Sequence, residues 1–144
     1  MLLALARYGG LRCPSETLTL EWDDLDWDRQ RMRVRSPKSE KDESGGARWV
    51  PLFPELLPYL EEAFEAAAPG TVHVITHSRD QSVNLRTGLN RIIRRAGLEP
   101  WERPWYNLRA TRQTELSAEF PLHVVCAWIG NKQAVAAEHY LQVT

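Results

Sequence analysis

The sequence has little of what disulfide networks, structural metals or membranes require. Its two cysteines, Cys13 and Cys126, are too few for a disulfide framework and have no Cys-x-x-Cys or Cys/His spacing typical of zinc sites. It has no apolar run approaching the about 20 residues that a membrane-spanning helix needs. Met1 leads directly into a predicted helix, so no signal peptide is visible. These absences exclude disulfide-rich, zinc-stabilised and membrane-spanning proteins, and they predict a cytoplasmic protein.

An overall excess of positive charge is also missing. The chain has 18 Lys and Arg against 19 Asp and Glu, whereas nucleic-acid-binding domains are typically basic. However, residues 79–112 hold eight arginines against three acidic residues, and residues 16–28 hold six acidic residues without a Lys or Arg. This asymmetry is typical of a protein with one DNA-facing surface, although a charge run also forms an ordinary solvated face.

With 144 residues the chain is long enough to bury a core as a single domain, residues 1–144. Apolar periodicity, glycines and prolines predict helices over residues 2–8, 14–22, 54–67, 82–96, 105–118 and 121–129, a short strand over 72–75, and a last helix carrying Tyr140. Because the chain starts inside an apolar helix, we expect that an N-terminal part has been lost.

A change of period after the second predicted helix indicates a small sheet. Leu25 and Trp27 alternate with acidic residues, and Met32 and Val34 alternate with arginines, as the two strands of a hairpin do. Residues 48–52 return as a third strand, at an edge because they include a proline. The predicted fold class is therefore α+β, a mostly helical domain with a small three-stranded antiparallel sheet.

Two arginines at the starts or ends of predicted helices fit chemistry on a phosphate. Arg12 ends the tripeptide GLR, and Arg109 ends YNLR. A guanidinium stays charged at physiological pH and binds phosphate oxygens bidentately. For Arg12, a structural ion pair with Glu16, four residues later, explains the residue equally well.

Lys38 and Tyr140 are weaker candidates when each is taken alone. Lys38 lies in the loop after the second strand, where a lysine is usually only solvated. Tyr140 stands nine residues after Asn131 in the segment that begins IGN, and a tyrosine there is typical of a ring that closes a small core with its hydroxyl in water.

The order of these segments resembles the catalytic domain of the tyrosine recombinase, or phage integrase, family. That family has Gly-Leu-Arg before a helix that continues Leu-x-Leu-x-Trp-x-Asp, and this chain reads GLRCPSETLTLEWDD. It then has a lysine between the second and third strands, His-x-x-Arg opening a helix, and Leu-Gly-His before a nucleophilic tyrosine. Lys38, Arg109 and Tyr140 match, whereas Tyr106 and Asn131 stand where the family usually has an imidazole.

The resemblance implies a tyrosine recombinase fold and a reaction on a DNA phosphodiester without a metal or other cofactor. Arg12 and Arg109 would hold the nonbridging oxygens, Tyr140 would form a covalent 3′-phosphotyrosine, and Lys38 would protonate the departing 5′-oxygen. Tyr106 and Asn131 would keep hydrogen-bond donors at the site but lose a titratable group.

The implied partner is double-stranded DNA. The arginines expected to contact it lie in the basic region: Arg86, Arg91, Arg94, Arg95 and Arg112. The resemblance covers a catalytic domain without the family's N-terminal DNA-clamping domain and first catalytic-domain helix. The complete protein is expected to act as a homotetramer on DNA, and the present chain alone to be monomeric.

Two other hypotheses remain open on the sequence. The first is a catalytically impaired integrase-like domain that still binds DNA, which the replaced imidazoles favour. The second is a helical protein-interaction domain that uses its six tryptophans for packing and contacts. Salt-dependent DNA affinity separates the second from the first, and a covalent DNA adduct separates both from the enzyme.

Overall fold

The computed structural model describes residues 1–36, 46–80 and 84–132. Within these ranges the chain forms five α-helices and a three-stranded sheet, which confirms the predicted α+β class. The helices are α1 (Leu2–Arg7), α2 (Leu57–Ala66), α3 (Leu85–Arg95), α4 (Pro104–Ser117) and α5 (Leu122–Ile129). The strands are β1 (Leu25–Asp26), β2 (Arg31–Arg35) and β3 (Ala47–Pro51).

The sheet is antiparallel with the order β1-β2-β3, so the hairpin and the edge position of the proline-bearing strand are confirmed. Met32 of β2 lies opposite Val50 of β3, and both side chains are buried together with Val34. Because successive side chains point to opposite faces of a strand, one face of this sheet belongs to the core. The opposite face carries Trp49, which is exposed.

One apolar cluster joins the buried sheet face to the helices. Its fully buried members include residues of α1, of the segment that follows it, of the start of α2 and of α5: Leu5, Leu11, Leu56, Leu60 and Ile129. Helix α4 packs against α1, α3 and α5, and α5 also packs against β3. Burial of a side chain of this size contributes about 1.5–3 kcal/mol. The cluster therefore fixes the segment after α1 next to α4 and the end of α5.

The predicted helix over residues 14–22 is wrong. Residues 13–19 form hydrogen-bonded turns, followed by a short 3₁₀ helix. The hydroxyl of Thr19 lies within hydrogen-bonding distance of the backbone carbonyls of Glu16 and Arg35, the latter in β2. Such side-chain bonds to the backbone compete with helix formation, and here they also tie the turns to the sheet.

Two further predictions differ from the structure. Residues 72–75 form no strand; they make one isolated bridge, between Glu21 and His73, beside the 3₁₀ helix. Helix α2 begins at Leu57, three residues later than predicted. The last predicted helix, with Tyr140, lies outside the described residues. Among the described helices, none is long and apolar enough to span a membrane.

Candidate functional site

The turn after α1 places Arg12 at the protein surface. Gly10 has φ +72°, a left-handed conformation that glycine adopts without strain, and a Cβ there would lie 2.5 Å from Ile129 Cδ1. This turn directs Leu11 into the core, where it is fully buried, and leaves the next side chain, Arg12, about a quarter exposed. A side chain at Gly10 would meet Ile129 of α5, so packing and turn geometry both favour glycine at this position.

Glu16 is the centre of the site. Its carboxylate is completely buried, and it accepts hydrogen bonds from the backbone N–H of Arg12 at 2.9 Å and from Arg12 Nη1 at 3.1 Å. Arg48 of β3 binds the same carboxylate through both terminal nitrogens, at 2.5 and 2.9 Å. Arg109 Nη1 lies 3.8 Å from Glu16 Oε1. Three guanidiniums thus surround one carboxylate.

The charge state of Glu16 follows from these contacts. Burial alone raises the pKa of a carboxyl group, but the hydrogen bonds and charges of Arg48 and Arg12 outweigh burial and lower the pKa of Glu16 to about 2. The group is therefore ionised at neutral pH. One negative charge among three guanidiniums leaves an excess of two positive charges, which suits an anionic ligand such as a phosphodiester.

Arg109 is held from α4 against the same turn. Its side chain is nearly fully buried, and its Nη1 donates to the carbonyl oxygen of Gly10 at 2.8 Å. Arg12 Nη2 lies 3.3 Å from the carbonyl oxygen of Gly130. Arg12 and Arg109, separated by almost a hundred residues in sequence, therefore share one carboxylate and one turn.

An open cavity of about 460 Å³ lies beside the two arginines. Its walls are formed by the turn after α1 and by the start of α4: Arg12, Cys13, Pro14, Ser15, Arg103, Trp105, Tyr106 and Arg109. The Arg103 guanidinium lies over the ring of Tyr106, 4.0 Å from its centroid. The structure thus brings three of the predicted site residues, Arg12, Tyr106 and Arg109, to one basic cavity.

Asn131 follows the end of α5, and its side chain is held by Gln113 of α4. Its amide exchanges two hydrogen bonds with the amide of Gln113 in α4, at 3.0 and 3.1 Å, and Gln113 is completely buried. Gly130, the residue before it, has φ +85°, as expected for a left-handed helix C-cap. Asn131 therefore lies near the Arg12 turn, with its amide engaged by α4.

The arginines predicted to contact DNA fall into two groups. Helix α3 buries Leu89 and Ile93 and leaves four arginines exposed: Arg86, Arg91, Arg94 and Arg95. Arg112 lies instead in the interior, where it pairs with Glu55 at 3.0 Å and Glu115 at 3.3 Å and packs over the Phe53 ring. Arg112 is therefore nearly buried and paired with two glutamates, unlike the four exposed arginines of α3.

Lys38 and Tyr140 lie outside the described residues. Among the described residues, no group of His, Cys, Asp and Glu is close enough to hold a metal ion.

Sequence reasoning missed Arg48. It stands two residues before the buried Val50 on β3, and side chains two apart on a strand share a face. Arg48 is accordingly on the inward face of the sheet, and its side chain is 12% exposed. An arginine at an inward strand position was the available signal, because a buried cation requires a partner such as Glu16.

Comparisons with known proteins were consistent with this geometry. The model of the phage integrase family matches residues 1–144. The fold is similar to that of XerA recombinase, with a TM-score of 0.76 at 18% identity, covering 98% of this chain and 52% of that one. It is also similar to the Tn1549 transposon integrase in complex with a circular intermediate DNA, with a TM-score of 0.71 at 15% identity.

The match to the Tn1549 integrase covers 99% of this chain and 54% of that one. The chain therefore spans about half the length of the solved structures that it resembles. No curated protein matches the chain in sequence.

Proposed function

Because the chain belongs to the phage integrase family, we propose that it is the catalytic domain of a site-specific DNA recombinase that cuts and rejoins DNA through a covalent 3′-phosphotyrosine. One observation carries the proposal: Arg12 and Arg109 meet at the buried Glu16 beside an open basic cavity. The two arginines have no sequence proximity that would bring them together, so the fold itself assembles the pair.

The arginine pair suits the transition state of phosphoryl transfer. Attack on phosphorus places extra negative charge on the nonbridging oxygens, and two guanidiniums stabilise that charge without any change of protonation. Glu16 and the Gly10 carbonyl hold Arg12 and Arg109 in place before DNA arrives. Preorganised charge of this kind is usually the largest single contribution to such catalysis.

Tyr140 is the proposed nucleophile and Lys38 the proposed acid. The Tyr140 oxygen forms a bond to phosphorus and releases its phenolic proton to solvent as the bond to the 5′-oxygen breaks, and Lys38 gives a proton to the departing 5′-oxygen. The phosphotyrosine preserves the energy of the phosphodiester, so the 5′-hydroxyl of another strand can reverse the step and complete an exchange. Tyr106 contributes a hydroxyl donor at the cavity wall.

The exposed arginines of α3 form the proposed DNA surface. Arg86, Arg91, Arg94 and Arg95 lie on a helix whose buried side faces α4, the helix that carries Arg109. Contacts from such side chains to phosphates supply affinity without sequence preference and are weakened by salt. In the longer protein we expect a further DNA-clamping domain and a homotetramer on double-stranded DNA.

Asn131 supports one alternative, a DNA-binding relative with impaired chemistry. Its amide is held by Gln113, and the cavity wall carries Tyr106 where the family has a histidine. Such a protein would bind DNA with the same salt dependence and form no covalent adduct.

The test is to trap the covalent intermediate without knowing the DNA site. The protein is incubated with nicked duplexes of randomised sequence, whose short cleaved fragment diffuses away, and denaturant-resistant adducts are isolated and sequenced. We expect adducts enriched in one sequence, none with Tyr140→Phe, and an unchanged yield with the matched control Tyr59→Phe, since Tyr59 is exposed on α2. Equal adduct from Tyr140→Phe would reject Tyr140 as the nucleophile.

A further inference from the structure

Arg48 contacts two parts of the site, the Glu16 carboxylate and the end of α5, without lining the cavity. Its two terminal nitrogens bind the two oxygens of Glu16, one each. Its Nε donates to the carbonyl of Trp128, near the end of α5, at 2.6 Å. All three contacts come from one planar group, so the position of each partner depends on the others.

Arg48 offsets the charge of Glu16 and so raises the excess of positive charge around Arg12 and Arg109 from one to two. Arg48 takes one hydrogen-bonding position on each carboxylate oxygen. Without it, the buried carboxylate would depend on Arg12 and Arg109 alone, and the excess of positive charge at the site would fall by one. Arg12, the more exposed of the pair, would then be drawn towards Glu16 and away from a phosphate.

Arg48 also shapes the turn at the end of α5. A Cβ on Gly130 would lie 2.8 Å from Arg48 Nη1 and 2.9 Å from Arg48 Cζ. The guanidinium thus lies directly against Gly130, while Arg12 binds the carbonyl oxygen of the same residue. Cations at a helix C-terminus satisfy its last carbonyls and interact favourably with its dipole. The sequence continues from this turn through Asn131 to Tyr140.

We propose that Arg48 is a positioning residue for DNA cleavage: it holds Glu16 in the geometry that fixes Arg12 and Arg109 beside the cavity. The inference rests on the proposed function. It assigns no contact between Arg48 and DNA, because Arg48 is not among the cavity-lining residues and its side chain is only 12% exposed.

The test compares Arg48→Met and Arg48→Lys with Arg33→Met, a matched control that removes an exposed arginine from the neighbouring strand β2. Two quantities are measured with the intact protein: the rate of adduct formation at saturating nicked DNA, and the dissociation constant for DNA. We expect Arg48→Met to lower the rate by about 10²-fold, since a misplacement of about 1 Å at a catalytic group has that effect. Arg48→Lys should recover part of the rate, because lysine keeps the charge but lacks the bidentate fork.

The affinity for DNA distinguishes a positioning role of Arg48 from a direct contact between Arg48 and DNA. For Arg48→Met we expect the dissociation constant to change no more than it does for Arg33→Met. A loss of affinity with an unchanged cleavage rate would overturn the inference, because it would make Arg48 a DNA contact. Melting temperatures are measured first, and all rates are compared below the lowest of them. If Arg48→Met does not fold, Arg48→Lys carries the same comparison.

A double-variant cycle tests whether Arg48 acts through Glu16. If it does, Arg48→Met added to Glu16→Gln should change the cleavage rate by less than about threefold. A further loss of about 10²-fold on that background would overturn the inference. Absence of adduct from the unaltered protein would overturn both this inference and the proposed function. Normal adduct formation by Arg48→Met would overturn the inference alone.

Discussion

The lowered pKa of Glu16 predicts how the free energy of unfolding changes with pH. Its folded-state pKa is about 2, lowered from an ordinary value of 4.5. Because the folded pKa lies below the unfolded pKa, the unfolded chain takes up the proton first as the pH falls, and stability is lost. Each pKa unit corresponds to about 1.4 kcal/mol, so Glu16 contributes about 3 kcal/mol at neutral pH. Of this, about 2 kcal/mol should be lost between pH 7 and pH 3.

The perturbation that isolates this contribution is Glu16→Gln. Glutamine does not titrate and leaves three guanidiniums around a neutral amide, so we expect the variant to be about 3–5 kcal/mol less stable at pH 7. The other carboxylates, including Glu115, titrate in both proteins and cancel in the difference. The gap between the two proteins should therefore shrink by about 2 kcal/mol on going from pH 7 to pH 3.

The assay is urea unfolding followed by circular dichroism at pH 7, 5, 4 and 3, with the free energy of unfolding extrapolated at each pH. Glu65→Gln serves as the matched control, because Glu65 is exposed on α2, and its difference from the unaltered protein should stay near zero throughout. A gap for Glu16→Gln that does not change with pH would refute the account of Glu16 as a carboxylate ionised by the arginines around it.

Three other predictions concern the arginines and Asn131. Arg12→Ala should lower the rate of adduct formation by about 10²–10³-fold, measured in single-turnover reactions, since one preorganised donor to the transition state is lost. Removing Arg91 and Arg94 together should reduce the slope of log affinity against log salt by about two, measured by fluorescence anisotropy with duplex DNA, and an unchanged slope would contradict their assignment to the DNA surface. Gln113→Leu should destabilise the fold by about 1–3 kcal/mol in urea unfolding, because it leaves the Asn131 amide without its partner; Asn131→Leu in the same background should recover part of that loss.

Local sequence patterns predicted much of this fold because they follow from local rules. The alternation around Met32 and Val34 gave the correct strand faces, and Gly130 gave the end of α5, since a left-handed C-cap favours glycine. The prediction of helix 14–22 is wrong, and in the structure Thr19 bonds to Arg35, on a strand sixteen residues away. A bond of that kind depends on tertiary structure and leaves no periodic signal.

The sequence indicated Arg12, Arg109 and the ion pair between Arg12 and Glu16, but it did not indicate Arg48. Arg12 and Arg109 carry recognisable local motifs, whereas the role of Arg48 depends on a partner thirty-two residues earlier in the chain. Arg112 was assigned to DNA because the basic stretch around it suggested one surface. The structure pairs this nearly buried arginine with Glu55 and Glu115 at the surface, and charge counted along a sequence does not show such pairing.

The resemblance to the family places Asn131 where an imidazole is usual, and the sequence alone does not show what holds this side chain. Asn131 occupies the position of an imidazole, and the structure pairs its amide with the buried Gln113. Two amides that satisfy each other form a self-contained unit, since each supplies one donor and one acceptor. Gln113 of α4 therefore holds the Asn131 amide directly after the end of α5.

The most direct measurement of the central claim is to identify the residue that becomes linked to DNA. The trapped adduct is digested with nuclease and protease, and the modified peptide is sequenced by mass spectrometry. The account predicts a nucleotide bound through its 3′-phosphate to the Tyr140 oxygen, at a yield that falls sharply with Arg12→Ala. A nucleotide on another residue, or no modified peptide from the unaltered protein, would contradict it.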